Sequence, residues 1–133
     1  MSNYGFVYVM GHEYMPGVYK IGMTGQSPLR RRDELSSGTA IPCPFDLLFY
    51  IEVNDPASVE RRMHETFSMT RISESREFFH ESITAIYSEF QRWADDGAPF
   101  AMTQHGGNEI AAYQFNLQEK ASGKPAENIC GGI

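Results

Sequence analysis

Residues 5–25 read GFVYVMGHEYMPGVYKIGMTG, and the fold turns on how this stretch is parsed. Two short segments, 6–10 and 18–23, are rich in β-branched and aromatic residues, and Met15-Pro16-Gly17 lies between them. Alternation with a period of two is the strand pattern and Pro-Gly supplies turn chemistry, so residues 4–10 and 18–23 are expected as a β-hairpin. Lys20 interrupts the second segment. A hairpin that only covers a core has no use for an ammonium group there. Lys20 is therefore either a solvated charge or part of a site.

Outward from the hairpin, Ser27-Pro28 is a helix start, with Ser as N-cap and Pro at the first helical position. That helix is expected to run to about Leu35, with Gly38 as its stop. Ile41-Pro42-Cys43-Pro44 is expected to be extended, because each proline biases its predecessor away from the α region. A third strand follows over 45–53. Asp55-Pro56 repeats the cap-plus-proline signal and opens a second helix, with Val59, Met63 and Phe67 on its apolar stripe. A polar loop over 69–77 ends in Glu77-Phe78-Phe79, and a third helix over 82–95 carries Ile83, Ile86, Tyr87, Phe90 and Trp93.

Beyond Gly97 the apolar periodicity fades, apart from Ile110 to Leu117, and residues 98–133 contain the Gly106-Gly107 and Gly131-Gly132 pairs. The sequence thus predicts one domain over 1–97 and a loosely structured tail over 98–133, with room for one short element. The element order is β-β-α-β-α-α. It gives an α/β protein of the α+β type, with a small, mostly antiparallel three-stranded sheet flanked by helices.

At 133 residues and 41% hydrophobic, the chain suffices for one compact domain. The net charge of −6 argues against indiscriminate coating of nucleic acid, which needs positive surface. The arginines are nonetheless concentrated: Arg30, Arg31, Arg32, Arg61, Arg62, Arg71 and Arg76 all fall between 30 and 76, enough for a local basic face. The two cysteines, Cys43 and Cys130, form no CxxC pair, so a zinc site or disulfide framework is not expected. No segment has the roughly 20 apolar residues of a membrane span, and the first residues lack the charged and apolar regions of a signal peptide. The expectation is a protein of the cytoplasm, with no membrane partner.

The order of these pieces resembles the GIY-YIG nuclease superfamily, in its compact phage and bacterial branch. Phe6-Val7-Tyr8 stands where that family has Gly-Ile-Tyr, and Lys20-Ile21-Gly22 where it has Tyr-Ile-Gly, with the 11 residues 9–19 between Tyr8 and Lys20. The likeness continues through Met15-Pro16-Gly17, Met23-Thr24, Arg31, Glu34-Leu35-Ser36, Pro42 to Phe45, Val59-Glu60, His64, Arg71 and Glu77-Phe78-Phe79. The resemblance implies a divalent-metal-dependent endonuclease that hydrolyses DNA phosphodiester bonds with Mg²⁺ or Mn²⁺, in a bacterial or phage-infected cell.

By that resemblance Tyr8 orients or deprotonates the water, Arg31 binds the scissile phosphate, and Glu60 holds the one cation. A lone carboxylate is a common way to bind Mg²⁺, with water and substrate oxygens completing the sphere. Lys20 is the departure, since it replaces a tyrosine. It brings positive charge to the phosphate or delivers a proton, but cannot reproduce a phenol. Tyr19 next to it is expected on the opposite sheet face.

Arg31 lies one turn before Leu35 and so shares the sheet-facing side of its helix. Arg30 and Arg32 are then left for solvent or the DNA backbone, and Arg71 for the nucleic-acid groove, where it pairs with Glu77 or lines the rim. His64, one turn after Glu60, contacts the phosphate or the metal's waters, or is a hydrogen-bonded structural histidine. His12, His80 and His105 are expected on the surface. The competing reading is a non-catalytic nucleic-acid-binding or protein-interaction module that keeps the same fold.

Overall fold

The computed structural model describes residues 4–37, 44–73 and 77–121. The expected hairpin is formed by β1 (Tyr4–Gly11) and β2 (Val18–Thr24), which pair antiparallel with Tyr8 opposite Gly22 and Met10 opposite Lys20. Gly17 sits at φ 79° in the connection, where a residue with a Cβ would be strained. On the other side of β1 lies β3 (Asp46–Asn54), also antiparallel. Its pairing slips between Val9 and Met10, opposite Phe49 and Leu47, so Leu48 is the extra residue of a β-bulge.

Two short strands complete the sheet. β4 (Phe78–His80) pairs with the first half of β2, and β5 (Phe100–Met102) pairs with β3. The sheet is five-stranded and antiparallel in the order β4-β2-β1-β3-β5, against the expected three. The α+β class agrees with the expectation; the strand count does not. Each added strand has three residues, too few for alternation to register.

Four helices flank the sheet. α1 (Pro28–Ser36) and α2 (Pro56–Thr66) begin at the two cap-plus-proline signals, although neither Ser27 nor Asp55 makes a side-chain cap hydrogen bond. α3 (Ile83–Asp95) is capped by Ser82, whose hydroxyl accepts from the Ala85 N–H at 3.1 Å. The stripes Val59, Met63, Phe67 and Ile83, Ile86, Phe90 bury against Val7, Val9, Ile21, Phe49 and Ile51 in the larger core. The other face carries a smaller cluster of Tyr8, Met10, Phe45 and Leu47, with Leu35 of α1 packed on it. The helix stop expected at Gly38 and the extended stretch over 41–43 lie outside the described residues.

Residues 98–121 differ from the expected loose tail. After β5 comes α4 (Gln104–Ala121), which buries Ile110 in the larger core. Thr103 ties this helix to the bulge. Its N–H donates to the Leu48 carbonyl at 2.9 Å, its hydroxyl donates to the Leu47 carbonyl at 2.5 Å, and the same oxygen accepts from the Gly106 N–H at 3.2 Å. A Cβ on Gly106 would come within 2.8 Å of the Leu48 carbonyl carbon. The glycine there permits a close helix–strand approach rather than a turn, which is why the sequence pattern misled. Residues 122–133 of that expected tail lie outside the described residues.

Candidate active site

Tyr8 lies on the smaller-cluster face of β1 and is 1% exposed. Its ring crosses the backbone of its register partner Gly22, where a Cβ would come within 2.6 Å of Tyr8 Cζ. Any larger residue at 22 would push the phenol aside, so the glycine of Lys20-Ile21-Gly22 makes room for the tyrosine of Phe6-Val7-Tyr8. The Arg31 guanidinium faces the phenol oxygen. Burial raises the Tyr8 pKa above the ordinary 10, and Arg31 partly offsets that rise. Tyr19 points to the opposite face as expected, into the larger core.

Lys20 is 9% exposed, on the same face as Tyr8. Its ammonium donates to Glu77 Oε2 at 2.6 Å and stands 5.5 Å from the centroid of the Phe78 ring. It is not a solvated strand charge. Glu77 is held in place through its own main chain, since its carbonyl accepts the Ile21 N–H at 3.0 Å.

The third side of the site comes round the sheet edge. β4 covers β2 only as far as Lys20, which leaves the backbone of residues 21–23 for other partners. α2 packs on the larger-core face, yet its Glu60 and His64 reach this edge. His64 Nε2 is 2.8 Å from the Ile21 carbonyl. A carbonyl only accepts, so Nε2 carries a proton, and the ring centroid lies 5.1 Å from that of Phe79. Burial lowers the His64 pKa and so favours the neutral ring, against the hydrogen bond to Ile21, which raises it.

One turn earlier, Glu60 accepts a hydrogen bond from the Met23 main chain. Its pKa is pushed up to about 7, first by burial and then by the Glu77 carboxylate, with Lys20, Arg71 and Met23 pulling the other way. Tyr8 in turn feels the charges of Glu77 and Glu60.

Tyr8, Lys20, Arg31, Glu60, His64, Arg71 and Glu77 thus form one electrostatic neighbourhood. Among the described residues, no group of three or more His, Cys, Asp or Glu side chains is placed to hold a metal ion. The donor set suits a different mode of binding. Glu60, half-buried and facing a second carboxylate, has a charge that a hard cation would stabilise, with water and phosphate oxygens as its other ligands.

Residues 5–94 match the T5orf172 domain. The chain belongs to the T5orf172 domain family. This is a phage-associated domain of the GIY-YIG-like, homing-endonuclease-type nuclease group, and it points to a nuclease-like or DNA-interacting module. No curated protein and no solved structure matches the chain. Every residue of the cluster falls within the matched T5orf172 segment, whereas β5 and α4 lie beyond it. No described helix is long and apolar enough to cross a membrane.

Of the residues singled out from sequence, Tyr8, Lys20, Arg31, Glu60, His64 and Arg71 are brought together. Arg30 and Arg32 are not. Arg30 is 69% exposed and lies 3.6 Å from Glu34, while Arg32 meets Asp33 at 2.8 Å. Arg71 stacks over Phe79, 5.7 Å from the ring centroid, and the pairing considered for Glu77 goes to Lys20 instead.

His12 is buried, against the surface expectation. Its Nδ1 accepts from the Tyr14 N–H at 3.2 Å and its ring meets Phe45 edge-on. Sequence reasoning did not find Glu77 as the partner of Lys20, because the two lie 57 residues apart. Nor did it find the Met23 main chain, which carries no residue-type signal at all.

Proposed function

We propose that this T5orf172 domain is a divalent-metal-dependent endonuclease that hydrolyses DNA phosphodiester bonds, acting in the cytoplasm of a bacterial or phage-infected cell. The reading rests on one observation above the others: Tyr8, Arg31, Lys20 and Glu60 share a single electrostatic neighbourhood although they come from four different elements. Phosphodiester hydrolysis needs a directed water, neutralisation of the crowded phosphate and help for the leaving oxygen.

Arg31 leaves the Tyr8 phenol for the scissile phosphate, which uncovers the hydroxyl. Burial keeps that phenol protonated at neutral pH, so Tyr8 orients the attacking water before any proton moves. Lys20 adds a second positive charge to the phosphate. Glu60 is the residue that would hold Mg²⁺ or Mn²⁺, and His64 fixes α2 so that Glu60 stays at the β2 edge. When bound, the cation supplies charge to the leaving oxygen. Arg71 lines the groove, and Arg30, exposed on α1, and the half-buried Arg32 offer charge to the flanking DNA backbone.

The test is nicking of supercoiled plasmid by purified protein with Mg²⁺ or Mn²⁺, against a chelated control. Relaxed circles only with metal support the reading. DNA retention in a gel shift without any nicking would instead favour the binding module. The burial of Tyr8 is the observation on that side.

A further inference from the structure

We propose that Glu77 is a positioning residue of this site, tethering the Lys20 ammonium so that it meets the scissile phosphate in one fixed orientation. The inference deepens the nuclease reading and rests on it.

The tether is short and fixed at both ends. Lys20 Nζ donates to Glu77 Oε2 at 2.6 Å, and the Phe78 ring lies 5.5 Å from the same nitrogen. The Glu77 main chain is held beside Lys20, because its carbonyl accepts the Ile21 N–H at 3.0 Å and Phe78 is the register partner of Lys20. A lysine side chain has many rotamers, and a flexible ammonium makes a poor directed donor. Here that freedom is removed before substrate arrives.

A stabilising role alone explains the pair badly. A buried ion pair gains little over apolar residues of the same volume, because both charges are desolvated. Glu77 also faces Glu60, where its charge is unfavourable. The two ends differ in depth: the Lys20 side chain is 11% exposed and that of Glu77 37%. The carboxylate thus stays hydrated on its outer side, while the ammonium, with three N–H donors, can take a phosphate without leaving Glu77.

Removing the Glu77 charge should then separate binding from catalysis. In Glu77→Gln, Lys20 keeps its charge but loses its neutralising partner and its aim. DNA binding should stay equal or tighten a few-fold, with a salt slope steeper by up to about one ion. Single-turnover cleavage should fall by about tenfold or more. The further change Glu77→Gln in a Lys20→Met background should alter the rate less than about twofold, because a residue acting through Lys20 has nothing left to act on.

Equal losses of binding and cleavage in Glu77→Gln, or a full rate loss that persists in the Lys20→Met background, would overturn the proposal. So would an unchanged rate. NMR of the Lys20 ammonium, followed in the parent and in Glu77→Gln, reports the tether without cleavage. If that signal responds to Glu77→Gln while the parent cuts nothing, the nuclease reading fails, and the catalytic purpose of the tether with it.

Discussion

Replacing Lys20 with Met removes the most deeply placed cation of the site and leaves Glu77 facing Glu60 with no ion-pair partner for its carboxylate. Water reaches Glu77, so the loss of stability should be modest, about 1–2 kcal/mol by urea unfolding. Cleavage should fall by about 10²-fold, the scale of one lost electrostatic stabiliser. Lys20→Tyr separates the two tasks open to this position. Recovered cleavage would show that it orients water or moves a proton, and continued loss that positive charge is what matters.

Glu60 gives the residue scale its pH signature. In the unfolded chain its carboxyl ionises near the ordinary 4.5, and in the fold near about 7. Between those values the folded state binds more protons than the unfolded one. The Glu60 contribution to stability is therefore lost as pH rises through that window, and is level above it. His64 has its pKa lowered and contributes the opposite slope, but it is common to both proteins in the comparison. Urea unfolding at pH 5 and pH 8, in the presence of a chelator, should show a shallower decline for Glu60→Gln than for the parent. An equal decline would mean that Glu60 titrates as a solvated carboxylate.

At the scale of elements, the site is assembled at the β1–β2 pair and at the β2 edge. Gly22→Ala should drive a Cβ into the Tyr8 ring, costing about 1–3 kcal/mol in unfolding experiments and most of the cleavage. Retained activity would show that the phenol position is immaterial. The hairpin, the third strand and the first three helices were legible in the sequence because each carries strong periodicity or a cap-plus-proline start. The placement of Arg31 followed from its spacing to Leu35. The reach of α2 round the sheet edge was not legible, because it depends on β4 ending at Lys20, and a three-residue strand leaves no pattern.

At the scale of the molecule, β5 and α4 belong to the folded body. Their segment was obscured by Gly106-Gly107, which in isolation signals a turn, whereas Gly106 permits contact with the bulged carbonyl of Leu48. Truncation after Gly97 should therefore expose the Ile110 contact and the β3 edge, lowering stability by at least about 2 kcal/mol in urea unfolding. An unchanged unfolding midpoint would mean that these elements only rest on the sheet.

In the proposed reaction this cluster cuts DNA through a metal held by Glu60, with Arg31 on the phosphate. The decisive experiment is single-turnover nicking of supercoiled plasmid in Mg²⁺, with the parent, Glu60→Ala and Arg31→Ala purified side by side. Metal-dependent nicking by the parent is expected, with no detectable nicking by Glu60→Ala and a loss of several orders of magnitude in Arg31→Ala, both variants remaining folded. Equal nicking by all three proteins would assign the cleavage to a contaminant and rule out the proposed site.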